Sequence, residues 1–191
     1  MNIIIVGPGA IGSLWACKLS LAGHNVSLWA RQTEPNLTLQ IGNHNEPLSF
    51  TNHDDDAVKQ ADLVIVTVKA WQVEEAISPL LGHINPDTIV MLMHNGMGTA
   101  QRVSESLKNN PIVLATTTHG AYKPCKQKVL HTGHGNTQLG GFNNLGEQCQ
   151  FLQEVMHHAL PEVGWNPNIN AALWTKLAIN CAINPLTAIH Q

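Results

Sequence analysis

The stretch Asn2–Val6 is apolar after its first residue, without alternation, and it stops at a glycine. Such a run predicts a strand covered on both faces, as in a parallel sheet. Helical spacing follows over Ala10–Leu21, with Gly23 placed to close the helix as its C′ residue. Residues 26–30 read as a second strand. Residues 32–56 are polar and mixed, with short β-like runs at 37–41 and 48–50. Three further apolar runs, at 63–68, 88–93 and 112–116, predict buried strands. Helical patterns at 71–81 and 99–107 separate them, and a short helix is expected at 57–60 behind Asp54, Asp55 and Asp56. This alternation predicts a doubly wound, Rossmann-type α/β fold with a mostly parallel sheet and right-handed crossovers.

After Thr116 the pattern changes. Residues 121–139 are rich in Gly, Thr and His, and 128–131 and 137–139 are β-like. Antiparallel strands added to the sheet are expected there. Residues 145–160 return to helix, and Trp165-Asn166-Pro167-Asn168 has the composition of a boundary. The expected division is a dinucleotide-binding domain over 1–166 and the start of a helical domain over 167–191. A long helix is expected over 169–184, with Pro185 disrupting its end.

Composition narrows the classes. Hydrophobic residues at 43% against 12% charged exclude a disordered chain. A net charge of −3 leaves no basic excess for nucleic acid or an anionic membrane. Glycines interrupt the apolar N-terminus too early for a signal peptide or a membrane span. Cys17, Cys125, Cys149 and Cys181 form no C-x-x-C pair, and free thiols of a cytoplasmic protein explain them best.

The strongest motif is Gly7-Pro8-Gly9-Ala10-Ile11-Gly12, with a strand before it and a helix after it. The first glycine permits the tight turn, and the second lets the backbone approach a pyrophosphate. The third lets helix and strand pack closely, while the helix N-terminus offers free N–H groups. An ordinary glycine turn is the competing reading. A site for NAD would carry a carboxylate at the end of the second strand. The chain has Trp29-Ala30-Arg31-Gln32 there. Arg31 suits a 2′-phosphate, which points to NADP, although a solvated arginine at a strand end is also an ordinary feature.

At the far end, Lys176, Asn180 and Asn184 recur every four residues, which puts them on one helix face. Their neighbours are apolar nearly all round, as in a buried helix whose polar stripe needs partners. A polar ligand would supply them; a stripe facing solvent is the alternative. Lysine in such a place is readily tuned as a proton donor. His94-Asn95-Gly96-Met97-Gly98, Lys69-Ala70-Trp71 and Thr116-Thr117-Thr118-His119 end further strands on the expected cofactor edge. Taken singly, Asn95 and Lys69 are better explained as turn residues. His119 fits a hydrogen-bonded structural role better than an acid–base one. No histidine pair has credible metal-site spacing, so no metal is expected.

Five runs together resemble the ketopantoate reductase family. They are Gly7-Pro8-Gly9-Ala10-Ile11-Gly12, Val68-Lys69-Ala70-Trp71-Gln72-Val73, His94-Asn95-Gly96-Met97-Gly98-Thr99, Thr116-Thr117-Thr118-His119, and the stretch 173–187 from Leu173 through Lys176, Asn180 and Asn184 to Thr187. The last run is the most specific. The resemblance implies NADPH-dependent reduction of 2-dehydropantoate to (R)-pantoate, a step of pantothenate synthesis. It implies Lys176 as the catalytic general acid and Asn180 and Asn184 as substrate ligands. Asn95 would lie between nicotinamide and substrate. Arg31 and Lys69 would contact the cofactor with Gly7, Pro8, Gly9, Ala10, Ile11 and Gly12, and Ala121 would contact the nicotinamide side through its backbone.

Family members continue into a helical second domain, whereas this sequence stops at Gln191. The expectation is a chain that binds NADPH but reduces ketopantoate poorly or not at all. The uncovered helix is also a candidate homodimer surface. Three other readings stay open: a reductase of another 2-oxo or 3-hydroxy acid, a non-catalytic NADP-binding module, and a structural or interaction domain that merely keeps the fold.

Overall fold

A computed structural model describes residues 1–44, 46–94 and 96–189; for Asn180 and for 184–189 it gives the helix but not the side chain. Eleven strands and seven helices follow in chain order among the described residues: β1 Asn2–Val6, α1 Ala10–Leu21, β2 Asn25–Trp29, β3 Asn36–Ile41, β4 Leu48–Thr51, α2 Asp55–Lys59, β5 Leu63–Val66, α3 Val73–Ile77, β6 Ile89–Met93, α4 Thr99–Ser106, β7 Ile112–Thr117, β8 Gly120–Cys125, β9 Lys128–Gly133, β10 Thr137–Gly141, α5 Asn144–Glu147, α6 Leu152–Ala159, β11 Val163–Trp165 and α7 Ile169–Ile189.

Seven strands form the main sheet in the order β11-β10-β7-β6-β5-β1-β2. β2, β1, β5, β6 and β7 are mutually parallel, and β10 joins β7 antiparallel. The unbroken apolar runs arise because both faces are covered. Ile3 and Ile5 of β1 and Leu63 and Ile65 of β5 face a core shared with α1 and α6. Ile4, Val6, Val64 and Val66 face the other core, filled by α3 and α4 residues and by Ile169 and Leu173 of α7.

The four remaining strands form a second sheet, ordered β4-β3-β9-β8. α1 lies between the two sheets, with Leu14, Trp15, Ala16, Cys17 and Leu19 wholly buried. This corrects the expectation that the strands after Thr116 would all extend the main sheet. Of the strands between 120 and 141 only β10 does so, and β11 adds to it in parallel at the sheet's edge; β8 and β9 instead cover α1, whose second apolar side would otherwise face water.

Other expectations also shift. The helix expected at 71–81 is a short α-helix between two 3-10 turns, Ala70–Gln72 and Ser78–Leu80; Pro79 removes a donor in the second. The helix expected at 145–160 is split into α5 and α6. Asn143 caps α5 by accepting from the Gly146 N–H, and it also accepts from the Ile112 N–H, which fastens α5 to β7. α7 runs through Pro185 to Ile189 rather than ending before it, since one missing N–H removes a single intrahelical bond. Nor is α7 a buried helix: Ile169 and Leu173 are buried, while Trp174, Ile179 and Ile183 are at least half exposed. All four cysteines are free, as expected. Among the described residues, no helix is long and apolar enough to cross a membrane.

Candidate functional site

The parallel strands end along one edge of the main sheet. That edge carries, side by side, the loop after β2, the glycine loop after β1, residues 67–71 after β5, the loop after β6 and Thr117 of β7. Ligands of open α/β sheets bind at such an edge.

The glycine loop has the geometry its sequence implies. The Gly7 N–H donates to the Trp29 carbonyl at 2.9 Å, extending β1 beside β2. Gly7 has φ +77°, a region that disfavours side chains, and a Cβ there would collide with Val68. A Cβ on Gly12 would stand 2.8 Å from the Gly7 carbonyl oxygen and closer still to the Thr67 hydroxyl. Both positions are therefore glycine for reasons of packing. Gly9 differs. Its φ is −67°, and a Cβ would meet nothing nearer than the Gly7 oxygen at 4.0 Å. No contact with the described residues requires glycine there, so the open side of Gly9 is space available to a ligand. α1 begins at Ala10 with no side-chain cap and no acidic residue in its first turn. Its first N–H groups and its positive dipole end lie at the loop, as an anion requires.

Neighbouring groups hold the loop in place. The Thr67 hydroxyl reaches the Gly7 carbonyl at 2.7 Å. The Ser13 hydroxyl donates to the Pro8 carbonyl at 2.9 Å, and the Lys123 ammonium donates to the same carbonyl at 2.8 Å and to Ser13 Oγ at 3.0 Å. None of these three was singled out by the sequence pattern. A threonine or serine beside a glycine turn is unremarkable, and Lys123 comes from a strand far along the chain.

Arg31 is exposed just beyond β2. The loop that carries it is fixed by Asn52, only 3% exposed. Asn52 Oδ1 accepts from the Ala30 N–H at 2.9 Å, and its Nδ2 donates to the carbonyls of Gln32 and Glu34 at 2.8 Å each. The His53 ring contacts the Ala30 carbonyl and packs on Trp29. The carboxylate of Asp54 is taken up by the α2 N-terminus, where it accepts from Asp56 and Ala57 N–H groups. Lys69 is exposed, its ammonium 5.0 Å from the ring centre of Trp71, itself 77% exposed. Gly96, with φ +126°, lies against the Ala70 Cβ, so the loops after β5 and β6 touch.

Lys176 reaches the same edge from α7, donating to the Thr117 carbonyl at 2.6 Å. Burial pushes its pKa down, and no carboxylate pairs with it among the described residues. Ala121 lies on β8, opposite His131 of β9, shortly after the chain leaves β7. His119 is buried; its Nδ1 accepts from the Gly135 N–H and contacts His131 Nε2, which fits the structural role expected of it. Asn95 lies outside the described residues, as do the side chains of Asn180 and Asn184; their backbones continue α7 beyond Lys176. The edge thus assembles Gly7, Pro8, Gly9, Ala10, Ile11, Gly12, Arg31, Lys69 and Lys176, residues 7 to 176 of the sequence.

Residues 3–144 match the family described as ketopantoate reductase PanE/ApbA. A 2-dehydropantoate 2-reductase of Vibrio cholerae serotype O1 is 57% identical over 191 residues, covering 100% of this chain and 64% of the relative. That of Escherichia coli O157:H7 is 38% identical, covering 99% of this chain and 62% of the relative. The chain therefore spans less than two thirds of the length of these curated relatives. In fold it resembles the 2-dehydropantoate 2-reductase of Methylococcus capsulatus, with a TM-score of 0.80 at 22% identity over 100% of this chain and 64% of that one. D-mandelate dehydrogenase, solved with NADH and anilino(oxo)acetate, gives a TM-score of 0.83 at 23% identity over 97% of this chain and 63% of that one.

Proposed function

The chain belongs to the ketopantoate reductase family, and from that premise we propose that it supplies the cofactor half and the acid catalyst of an NADPH-dependent reductase of 2-dehydropantoate. The observation that carries the reading is the placement of the Lys176 ammonium on the edge that also bears the glycine loop. Strands about 4.8 Å apart put β7 roughly 14 Å from β1. A dinucleotide bound by its pyrophosphate at Gly9 would run along that edge towards Lys176.

The fit to a 2′-phosphorylated cofactor rests on three features. Gly9 has an open side, the α1 N-terminus is uncapped, and Arg31 stands at the end of β2 on a loop pinned by Asn52. Lys69, beside Trp71, adds a second cation to the same edge. When bound, the reduced nicotinamide supplies the hydride to C2 of the substrate, giving (R)-pantoate. The chain's own residues manage the proton and the orientation. Lys176 donates a proton to the substrate C2 oxygen as negative charge develops there. Its lowered pKa brings that proton nearer to release at neutral pH, and the Thr117 carbonyl aims the ammonium. Asn95, Asn180 and Asn184 are assigned to substrate, and Ala121 to the nicotinamide, from the family resemblance and their sequence positions.

The test is oxidation of NADPH by the 191-residue chain in the presence of 2-dehydropantoate, compared with Lys176→Ala. Substrate-dependent oxidation that Lys176→Ala abolishes, with cofactor binding retained, supports the reading. Saturable cofactor binding with no oxidation in the wild type reduces it to a dinucleotide-binding module.

A further inference from the structure

Lys123 is a half-buried cation without an anionic partner among the described residues. It projects from β8 of the second sheet and spends two of its three N–H donors on neutral acceptors, the Pro8 carbonyl at 2.8 Å and the Ser13 hydroxyl at 3.0 Å. None of the ion pairs among the described residues includes it. Its titratable surroundings are the thiols of Cys17 and Cys125, and burial pushes its pKa down. Taking an ammonium out of water beside neutral groups alone is costly, and an anion nearby offsets that cost.

The place where the charge sits gives the cost a purpose. Pro8 lies between the first two glycines of the loop, and Ser13 is in the second turn of α1. Two donors on one carbonyl turn the negative end of the Pro8 peptide dipole back onto α1. The uncapped N–H groups of the first helical turn then dominate the field at the loop. An ammonium at this position adds a full charge to the partial charge of the helix end.

We infer that Lys123 is a positioning residue of the cofactor site: it anchors the Pro8 carbonyl inward and contributes the positive charge that the loop presents to a pyrophosphate. The inference rests on the dinucleotide reading of the glycine loop. It also gives the second sheet a role beyond covering α1, because β8 delivers the charge.

The experiment titrates the 191-residue chain with NADPH, following cofactor fluorescence, for wild type, Lys123→Gln and Lys123→Arg, with thermal melts of each apo protein. Glutamine keeps a donor for the Pro8 carbonyl and loses the charge; arginine keeps both. The expected result is affinity about 5- to 20-fold weaker for Lys123→Gln, recovery to near wild type for Lys123→Arg, and similar melting temperatures. Wild-type affinity in Lys123→Gln overturns the inference. So does an equal loss in both variants with a fallen melting temperature, or failure of Lys123→Gln to fold, since either assigns Lys123 to the scaffold alone. Absence of binding by the wild type overturns the dinucleotide reading itself, which separates the two failures.

Discussion

Lys176 and Thr117 meet across the layers of the fold, the ammonium of α7 donating to the last carbonyl of β7 at 2.6 Å. One contact thereby fixes the only long helix of the C-terminal segment described here to the strand ends that carry the glycine loop. Ile169 and Leu173, buried two turns and one turn earlier, set the rotation of α7 that makes the contact. The bond is to a neutral carbonyl, so it orients the ammonium without pairing its charge as a carboxylate would. Lys176→Ala is expected to lower substrate reduction about 10²- to 10⁴-fold while leaving NADPH affinity within about 2-fold, because the residue lies three strands from the loop. Steady-state kinetics and a cofactor titration on the same preparations check both halves.

The three loop glycines are expected to separate. Gly9→Ala meets, among the described residues, only the Gly7 oxygen at 4.0 Å and has an ordinary φ. Its stability should stay within about 0.5 kcal/mol of wild type, while NADPH affinity falls at least about 10-fold. Gly7→Ala is strained by its positive φ and by Val68, and Gly12→Ala by Thr67 and the Gly7 carbonyl. Each should lose about 1–3 kcal/mol of stability. Chemical denaturation and cofactor titration of the three variants give the comparison. Equal effects at all three positions would mean that Gly9 is not a contact point.

Asn52 answers for the loop that bears Arg31. Removing it as Asn52→Ala leaves a buried N–H and two carbonyls without their partners, with an expected cost of about 1–3 kcal/mol. Arg31→Ala should cost little stability, since the side chain is exposed, yet abolish most of the preference for a 2′-phosphate. The ratio of NADPH to NADH affinity in each variant is the readout.

His24, His119 and His131 all have pKa values pushed below the ordinary 6.5, in each case mainly by burial. The native state then binds fewer protons than the unfolded chain between those lowered values and 6.5. Stability is therefore expected to fall as pH drops below 6.5 and to level off beneath the folded-state values. Melts across this range should show the fall, and His119→Asn should flatten part of it. An unchanged melting temperature from pH 7 to pH 5 would contradict the burial of these rings.

What the sequence made legible follows from the range of the interactions involved. β1, β5, β6 and β7 are readable because strands covered on both faces must be apolar throughout, as Ile3–Val6 and residues 63–66 are. Gly7 and Gly12 are readable because they stand at fixed spacing between a strand and a helix, although the atoms that demand them, on Val68 and Thr67, lie far along the chain. Lys123 and Asn52 were not: each acts on a segment distant in sequence, Lys123 on Pro8 and Asn52 on Ala30. The split of the β-rich segment between two sheets escaped for the same reason. A strand's alternation marks which face is apolar, and β9 pairing with β3 depends on α1 needing cover on its far side. Pro185 was read from its local cost alone, which one lost hydrogen bond in a 21-residue helix absorbs.

The most direct test of the central claim, a 2′-phosphorylated nicotinamide cofactor held at Gly9 and Arg31, is a titration of the 191-residue chain with NADPH and NADH under one set of conditions. Saturable binding of both, with NADPH about 10-fold or more tighter, is the expected result. A clear preference for NADH, or no saturable binding of either, would contradict it.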